Sequence, residues 1–253
     1  MDKKGQLTIF AVLGIVIAFV FLLVYFIESG VLNKMAVSDV AKSLGLSREE
    51  NVVRDYVEKC VDETGKNALL LAGAQGGYIF PERYAVFEGI KVSYGYYDGK
   101  NVLADKNTIG NEIERYYEIM LPSCIDEIKI YEIIKGNLSS NVVIGEDAVD
   151  VNINYPAWII KSRSKTMVEP RYNAIYNLSL GKMRDVANNL VEGTAKNEEG
   201  IDIGYLIDIG DDFFVNVVPN DEGRINIIVD RERNILGVNY TFMFAEKFKR
   251  ASK

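Results

Sequence analysis

The 253-residue chain contains no histidine, and that absence removes several chemistries at once. Ser-His-Asp and Cys-His nucleophile systems, His-ligated zinc and a His proton shuttle are all excluded for this chain acting alone. Only two cysteines are present, so Cys-only zinc and iron–sulfur centres are excluded as well. Basic clusters are also scarce. The longest are Lys3-Lys4 and Lys247-Phe248-Lys249-Arg250 in a chain of net charge −7, so no nucleic-acid partner is expected. An enzyme would have to run on carboxylates, Lys, Tyr, Ser or an oxygen-ligated metal, and no recognisable motif places such a set. No catalytic, cofactor-binding or metal-ligating residues are therefore expected. Internal repeats and low-complexity tracts are absent too.

What is present begins with a long apolar run. Hydrophobic residues make up 48% of the chain and charged residues 26%, ordinary values for a globular protein. Leu7 to Ile27 (LTIFAVLGIVIAFVFLLVYFI) carries no charge, and at about 1.5 Å per residue it matches the roughly 30 Å hydrocarbon core of a bilayer. It is longer than a signal-peptide core, and Tyr25-Phe26-Ile27-Glu28 offers no small-residue cleavage site, so a retained anchor is expected. Lys3 and Lys4 lie on the short side and Glu28 on the long side, which places the N-terminus in the cytoplasm and the rest outside. The expected partition is a cytoplasmic leader at 1–6, a transmembrane helix at 7–27, a helical stalk at 28–46 and an extracytoplasmic domain at 47–253.

Lys3-Lys4-Gly5-Gln6, directly before the apolar run, resembles the class III signal peptide of archaeal type IV prepilins and archaellins. The resemblance implies cutting by a prepilin peptidase after Gly5, leaving Gln6 as the new N-terminus. Many euryarchaeal pilins carry a Glu at the fifth mature position, where this chain has Phe10; archaellin-like chains manage without that acid. Tyr56-Val57-Glu58-Lys59-Cys60 with Gln75-Gly76-Gly77-Tyr78-Ile79, Leu121-Pro122-Ser123-Cys124-Ile125 and Tyr240-Thr241-Phe242-Met243-Phe244-Ala245 are similar to a family of membrane-anchored surface proteins from small-genome archaea. That likeness implies an architecture and no activity.

The outer region reads as blocks of helix and antiparallel hairpin, which predicts an α+β domain rather than a doubly wound sheet. Ser47-Arg48-Glu49-Glu50 is a capping box opening a helix whose buried face is Val53, Tyr56, Val57, Cys60, Val61, Ala68 and Leu71. Gly76-Gly77 should end it. Ile90 to Tyr97, Asp98-Gly99 and Lys100 to Leu103 read as a hairpin with a type I′ turn. Thr108 to Met120 returns to helical spacing, with Pro122 starting a short following helix. Val142 to Ile144 and Val149 to Tyr155 form a second hairpin about Gly145-Glu146-Asp147. Leu180 to Val191 is an amphipathic helix and Gly193 to Gly200 a polar loop. Strands follow at Phe213 to Val218, Ile225 to Val229 and Val238 to Phe244, with a turn at Pro219 to Gly223.

Several groups invite a functional reading. Cys60 and Cys124, an even pair in an oxidising compartment, are expected to form a disulfide closing a loop of about 65 residues, with two buried thiols as the alternative. Asp208, Asp211 and Asp212 form the densest acidic cluster but lack the ligand spacing of a calcium loop, so a solvated turn is expected. Glu112, Glu114 and Glu118 beside Arg115 read as a solvated helix face. The glycines of Gln75-Gly76-Gly77-Tyr78 are explained by a helix stop, and the motif lacks the context of a phosphate loop. Fifteen tyrosines cluster at Tyr94-Gly95-Tyr96-Tyr97 and Tyr116-Tyr117; packing is their expected use, and a carbohydrate or protein contact face the alternative. Asn137, Asn177 and Asn239 begin glycosylation sequons.

The resulting expectation is a single-pass, pilin-like cell-surface protein with a structural or interaction role. The bilayer, a prepilin peptidase, and further copies or other surface proteins are its partners. An uncleaved ligand-binding or accessory subunit is the alternative.

Overall fold

The computed structural model describes residues 48–161, 164–198 and 200–249. The candidate processing site Gly5-Gln6, the apolar segment 7–27, the stalk 28–46 and Ser47 of the capping box lie outside them. Among the described residues no helix is long and apolar enough to cross a membrane. The chain divides between Val53 and Arg54 into two units. Of the first, residues 48–53 are described, as the opening of a helix; the second carries the sheets and clefts.

The fold is α+β. Helix α1 spans Arg48–Ala74, with Val57, Cys60, Val61, Ala68, Leu69 and Ala72 buried at helical spacing. It closes in a Schellman motif: Gly77 N donates to Ala72 O at 2.7 Å and Gly76 N to Gly73 O at 3.4 Å, with both glycines at positive φ. Strands β1 (Tyr84–Phe87), β2 (Ile90–Tyr97) and β3 (Lys100–Asn101) follow, and Asp98 and Gly99 take φ of 46° and 88°, as a type I′ turn requires.

Helix α2 spans Lys106–Ile125 and starts at Asp105, whose side chain accepts from Thr108 N at 2.7 Å. The helix expected to begin afresh at Pro122 does not exist; α2 runs through that proline. Leu121 and Ile125 are buried and Cys124 is bridged to α1, so packing on both sides of the ring holds the last turn helical.

Six short strands come next: β4 (Glu132–Lys135), β5 (Ser139–Ile144), β6 (Val149–Asn154), β7 (Ala157–Lys161), β8 (Ser164–Val168) and β9 (Arg171–Tyr176). They form two three-stranded antiparallel sheets, ordered β4-β7-β8 and β5-β6-β9. Helix α3 spans Leu180–Lys196 and α4 spans Ile203–Asp208. The expected loop from Gly193 to Gly200 is therefore half helix, because Thr194 is buried and hydrogen-bonded inside the last turn of α3.

Strands β10 (Phe213–Asn220), β11 (Gly223–Ile235) and β12 (Val238–Lys247) complete the main sheet, ordered β1-β2-β12-β11-β10 with β3 on β2. The turn expected at Pro219 to Gly223 shrinks to Asp221-Glu222. Pro219 remains in β10, an edge strand that can spare a donor. Strand β12 is central, antiparallel to β11 and parallel to β2, and its Tyr240, Phe242, Phe244 and Ala245 are all inaccessible to solvent. Helix α1 lies close on it: Tyr240 Oη donates to Leu69 O at 3.0 Å, and a Cβ on Gly73 would stand 2.3 Å from Thr241 O.

Candidate functional site

Three segments separated in the sequence meet in one cleft of about 320 Å³. They are the segment after the α1 stop (Tyr78, Phe80), the tyrosines of β2 (Tyr94, Tyr97) and the Glu112–Arg115 turn of α2. The Schellman stop makes this convergence geometric. A Cβ on Gly76 would come within 2.5 Å of Ser93 Oγ, and one on Gly77 within 2.8 Å of the Ile109 side chain, so only glycines let the chain pass between β2 and α2. Ser93 Oγ then donates to Gln75 O at 2.7 Å, pinning the stop to β2.

Glu112 is the organiser of the cleft. Its Oε2 accepts from the backbone N–H of both Ile79 and Phe80 at 2.9 Å, and its side chain is only 15% exposed. Glu114 Oε1 likewise accepts from Val142 N of β5 at 2.7 Å. The expectation of a solvated face for these acids is thus wrong for two of the three. Both are anchors for backbone that arrives from elsewhere, while Glu118 and Arg115 are exposed.

The aromatic rings are held by cations. Arg115 stacks on Phe80 with its guanidinium carbon 4.7 Å from the ring centroid, and Arg83 and Lys247 approach Tyr97 at 5.8 and 5.2 Å. Tyr94 and Tyr97 meet edge to face at 5.1 Å, and Tyr94 Oη donates to Glu222. Burial, then the Glu112 and Asp105 charges, push the Tyr78 phenol above its ordinary pKa; burial and the Glu222 hydrogen bond do the same for Tyr94. Both stay protonated donors at neutral pH. The cleft therefore offers aromatic surface, phenol O–H groups and guanidinium N–H groups, the means of gripping a hydroxylated ring or an exposed side chain.

A second cleft of about 440 Å³ lies between α3, α4 and the main sheet. Beneath it is a buried network that sequence reasoning missed. Arg224 Nε donates to Glu246, Arg224 Nη2 donates to Thr194 Oγ1 at 2.6 Å, and Thr194 Oγ1 lies 2.9 Å from Glu246 Oε1. Glu246 is wholly inaccessible, and burial raises its carboxyl pKa against the lowering pull of Arg224. Asn226 also favours the ionised form, although its buried Nδ2 closes no hydrogen bond of good geometry. The signal in the sequence is Arg224 near the start of β11 and Glu246 near the end of β12, each beside apolar residues, and it specifies no partner.

Cys60 and Cys124 are joined by a disulfide, with Cα atoms 5.9 Å apart. Asp208, Asp211 and Asp212 lie exposed around the turn from α4 to β10. Among the described residues no group of three or more acidic or cysteine side chains is close enough to hold a metal. Asn137 and Asn177 are exposed in loops; Asn239 sits in β12, where its Nδ2 donates to Asp230 O at 3.0 Å. Tyr116 and Tyr117 do not join the cleft, since Tyr117 is fully buried and donates to Val61 O. No protein-family model, curated protein or solved structure matches this chain.

Proposed function

We propose that this chain is a membrane-anchored surface protein with a structural or interaction role, held by residues 7–27 with its N-terminus in the cytoplasm, and that the aromatic cleft is its contact face for a protein or glycan. The observation that carries this reading is the convergence of Tyr78, Phe80, Tyr94, Tyr97 and Arg115 in one cleft organised by Glu112. Aromatic rings with fixed orientation and a few donors suit contact with a partner at low cost in side-chain entropy.

The test is a panel of oligosaccharides and surface peptides titrated against the detergent-solubilised full chain. Binding that falls at least about tenfold in Tyr97→Ala supports the cleft, since loss of an aromatic anchor removes about 1–2 kcal/mol or more. Binding indifferent to Tyr97→Ala and Arg115→Ala removes it. Intact mass after co-expression with an active prepilin peptidase reports the pilin-like part separately: loss of Met1 to Gly5 is expected, and retention leaves a plain signal anchor.

The alternative, an uncleaved ligand-binding or accessory subunit, is favoured by the concavity of the cleft, whose 320 Å³ falls within the roughly 300–1,000 Å³ of small-molecule sites. It requires no polymerisation. Filaments in electron micrographs of the purified protein would count against it.

A further inference from the structure

The β5-β6-β9 sheet ends in an open edge, and the hydrogen-bond alternation identifies which groups are free. Tyr155 N donates to Pro170 O at 2.7 Å, so Tyr155 and Pro170 form a hydrogen-bonded pair of the antiparallel β6–β9 ladder. Alternation then assigns Tyr172, Ala174 and Tyr176 to bonding with β6. The N–H and C=O groups of Arg171, Asn173 and Ile175 point the other way. The Arg171 N–H is turned to the Glu169 carboxylate; those of Asn173 and Ile175 have no backbone or side-chain partner among the described residues. The opposite edge of the same sheet is not open in this way, since Val142 N of β5 is capped by Glu114.

The open edge is also not flat. A groove of about 500 Å³ runs beside β9 along all six of its residues, walled on the far side by Arg54, Glu58, Val61 and Asp62 of α1. These lie at i, i+4, i+7 and i+8 and so share one helix face. Tyr176 Oη donates to Asp62 O at 3.2 Å, which ties β9 to the helix; the Tyr172 ring, on the same face by alternation, is buried with its hydroxyl unbonded. Arg54 is paired with Glu58 at 2.9 Å and Asp62 with Lys66 at 2.6 Å, so the wall is electrically compensated along its length. On the outer face Ile175 is 67% exposed, a large apolar group without cover beside an unpaired backbone.

We propose that this groove is a strand-addition site: it takes an extended segment of a partner protein as a fourth strand on β9. The outward main-chain groups of Asn173 and Ile175 supply the pairing. The compensated helix wall selects a segment of low net charge, and exposed Ile175 selects an apolar side chain opposite it. A bare edge of this kind invites indiscriminate pairing unless something restricts it; here the restriction is α1, which leaves a channel beside the strand.

The probe is a fluorescently labelled peptide with the sequence of residues 148–155 (AVDVNINY), the strand that β9 already accepts on its other side. It is titrated by anisotropy against the full chain in detergent. Saturable binding is expected, reduced about tenfold or more in Asn173→Pro and unchanged within about twofold in Asn173→Ala. The proline deletes an outward N–H and leaves the β6 ladder intact, so the variant should keep the native melting temperature; Ile175→Pro is the second variant of the same design. Hydrogen exchange of the wild-type chain needs no variant: the amides of Asn173 and Ile175 should slow on adding peptide. Absent saturation, binding indifferent to both prolines, or slowing confined to other edges overturns the proposal. So does a wild-type dimer that Asn173→Pro dissociates, which would make a second copy of this chain the occupant. None of these outcomes touches the aromatic cleft, whose test uses Tyr97.

Discussion

Cys60, in the middle of α1, is bonded to Cys124 in the last turn of α2, across a sequence separation of 64 residues. Cys60 is 1% exposed and its neighbours Val57 and Val61 are equally buried, so the bridge crosses the core between the two helices. The same two helices are linked again by Tyr117 Oη on Val61 O and Tyr56 Oη on Cys124 O.

Reducing that bond should lower stability by about 4 kcal/mol on the chain-entropy estimate for a loop of this length. For a domain of this size the melting temperature should then fall by roughly 10 °C, measured by calorimetry with and without reductant. A shift under about 2 °C would mean that packing alone holds α1 on α2.

The Arg224–Glu246 pair makes a prediction with two parts. Arg224→Met leaves Glu246 buried without its cation and should cost about 3–5 kcal/mol. Arg224→Met combined with Glu246→Met should recover most of that loss, because both desolvation penalties disappear together. Urea denaturation of the wild type and the two variants gives the comparison. A double variant no more stable than the single one would show that the network contributes beyond the pair, through Thr194 and Gly200 O.

Buried tyrosines predict alkaline unfolding. Burial and the Glu198 hydrogen bond push the Tyr96 phenol up to about 12, and burial takes Tyr176 to about 12 as well. Tyr117, Tyr172 and Tyr240 are raised further by the same cause. A phenol raised from its unfolded value of 10.0 favours the native state fully below pH 10. That contribution is lost as pH rises from 10 toward 12, because the unfolded chain releases these protons first. Absorbance at the phenolate band should therefore rise in two steps, exposed tyrosines first and the buried set together with loss of circular dichroism. Ionisation of all fifteen before unfolding would contradict the burial.

Gly76→Ala should destabilise by about 1–2 kcal/mol or more, since it combines positive φ at a helix stop with a Cβ that the packing cannot admit. The nearest obstacles are Ser93 Oγ at 2.5 Å and the Met243 carbonyl at 2.8 Å. Gly89→Ala is the control. It has a φ of +84° but nothing within 4 Å of its Cβ, so it should show the backbone cost alone. Thermal melts of the two variants separate strain from clash, and equal losses would rule the clash out.

Features set by neighbouring residues are legible in the amino-acid order itself. The period of α1, its stop at Gly76-Gly77 and the Asp98-Gly99 turn each rest on a run of adjacent residues with one conformational solution. The turn between β11 and β12 also places two successive residues at positive φ, yet it carries no such mark, because its first residue is Leu236, at φ 51°, and no local preference puts leucine there. Strands β7, β8 and β9 are equally silent. They are five or six residues long, β8 and β9 are of mixed polarity and β7 is a short apolar run equally compatible with helix, and what holds them is the partner strand.

Composition and periodicity, which are properties of consecutive residues, suffice for the apolar N-terminal run, the lack of histidine chemistry, the α+β class and the spacing of the main helices. Contacts between distant segments that no residue count announces arise only when the chain closes on itself: Glu112 gripping the Ile79-Phe80 backbone, and Glu246 meeting Arg224 and Thr194. A buried hydrogen bond or ion pair of this kind is selected by which surfaces pack together, and no local pattern encodes its partner. The same holds for the open side of β9: a strand's free edge exists only once its sheet has ended, and the order β5-β6-β9 that leaves it open appears only in the folded chain.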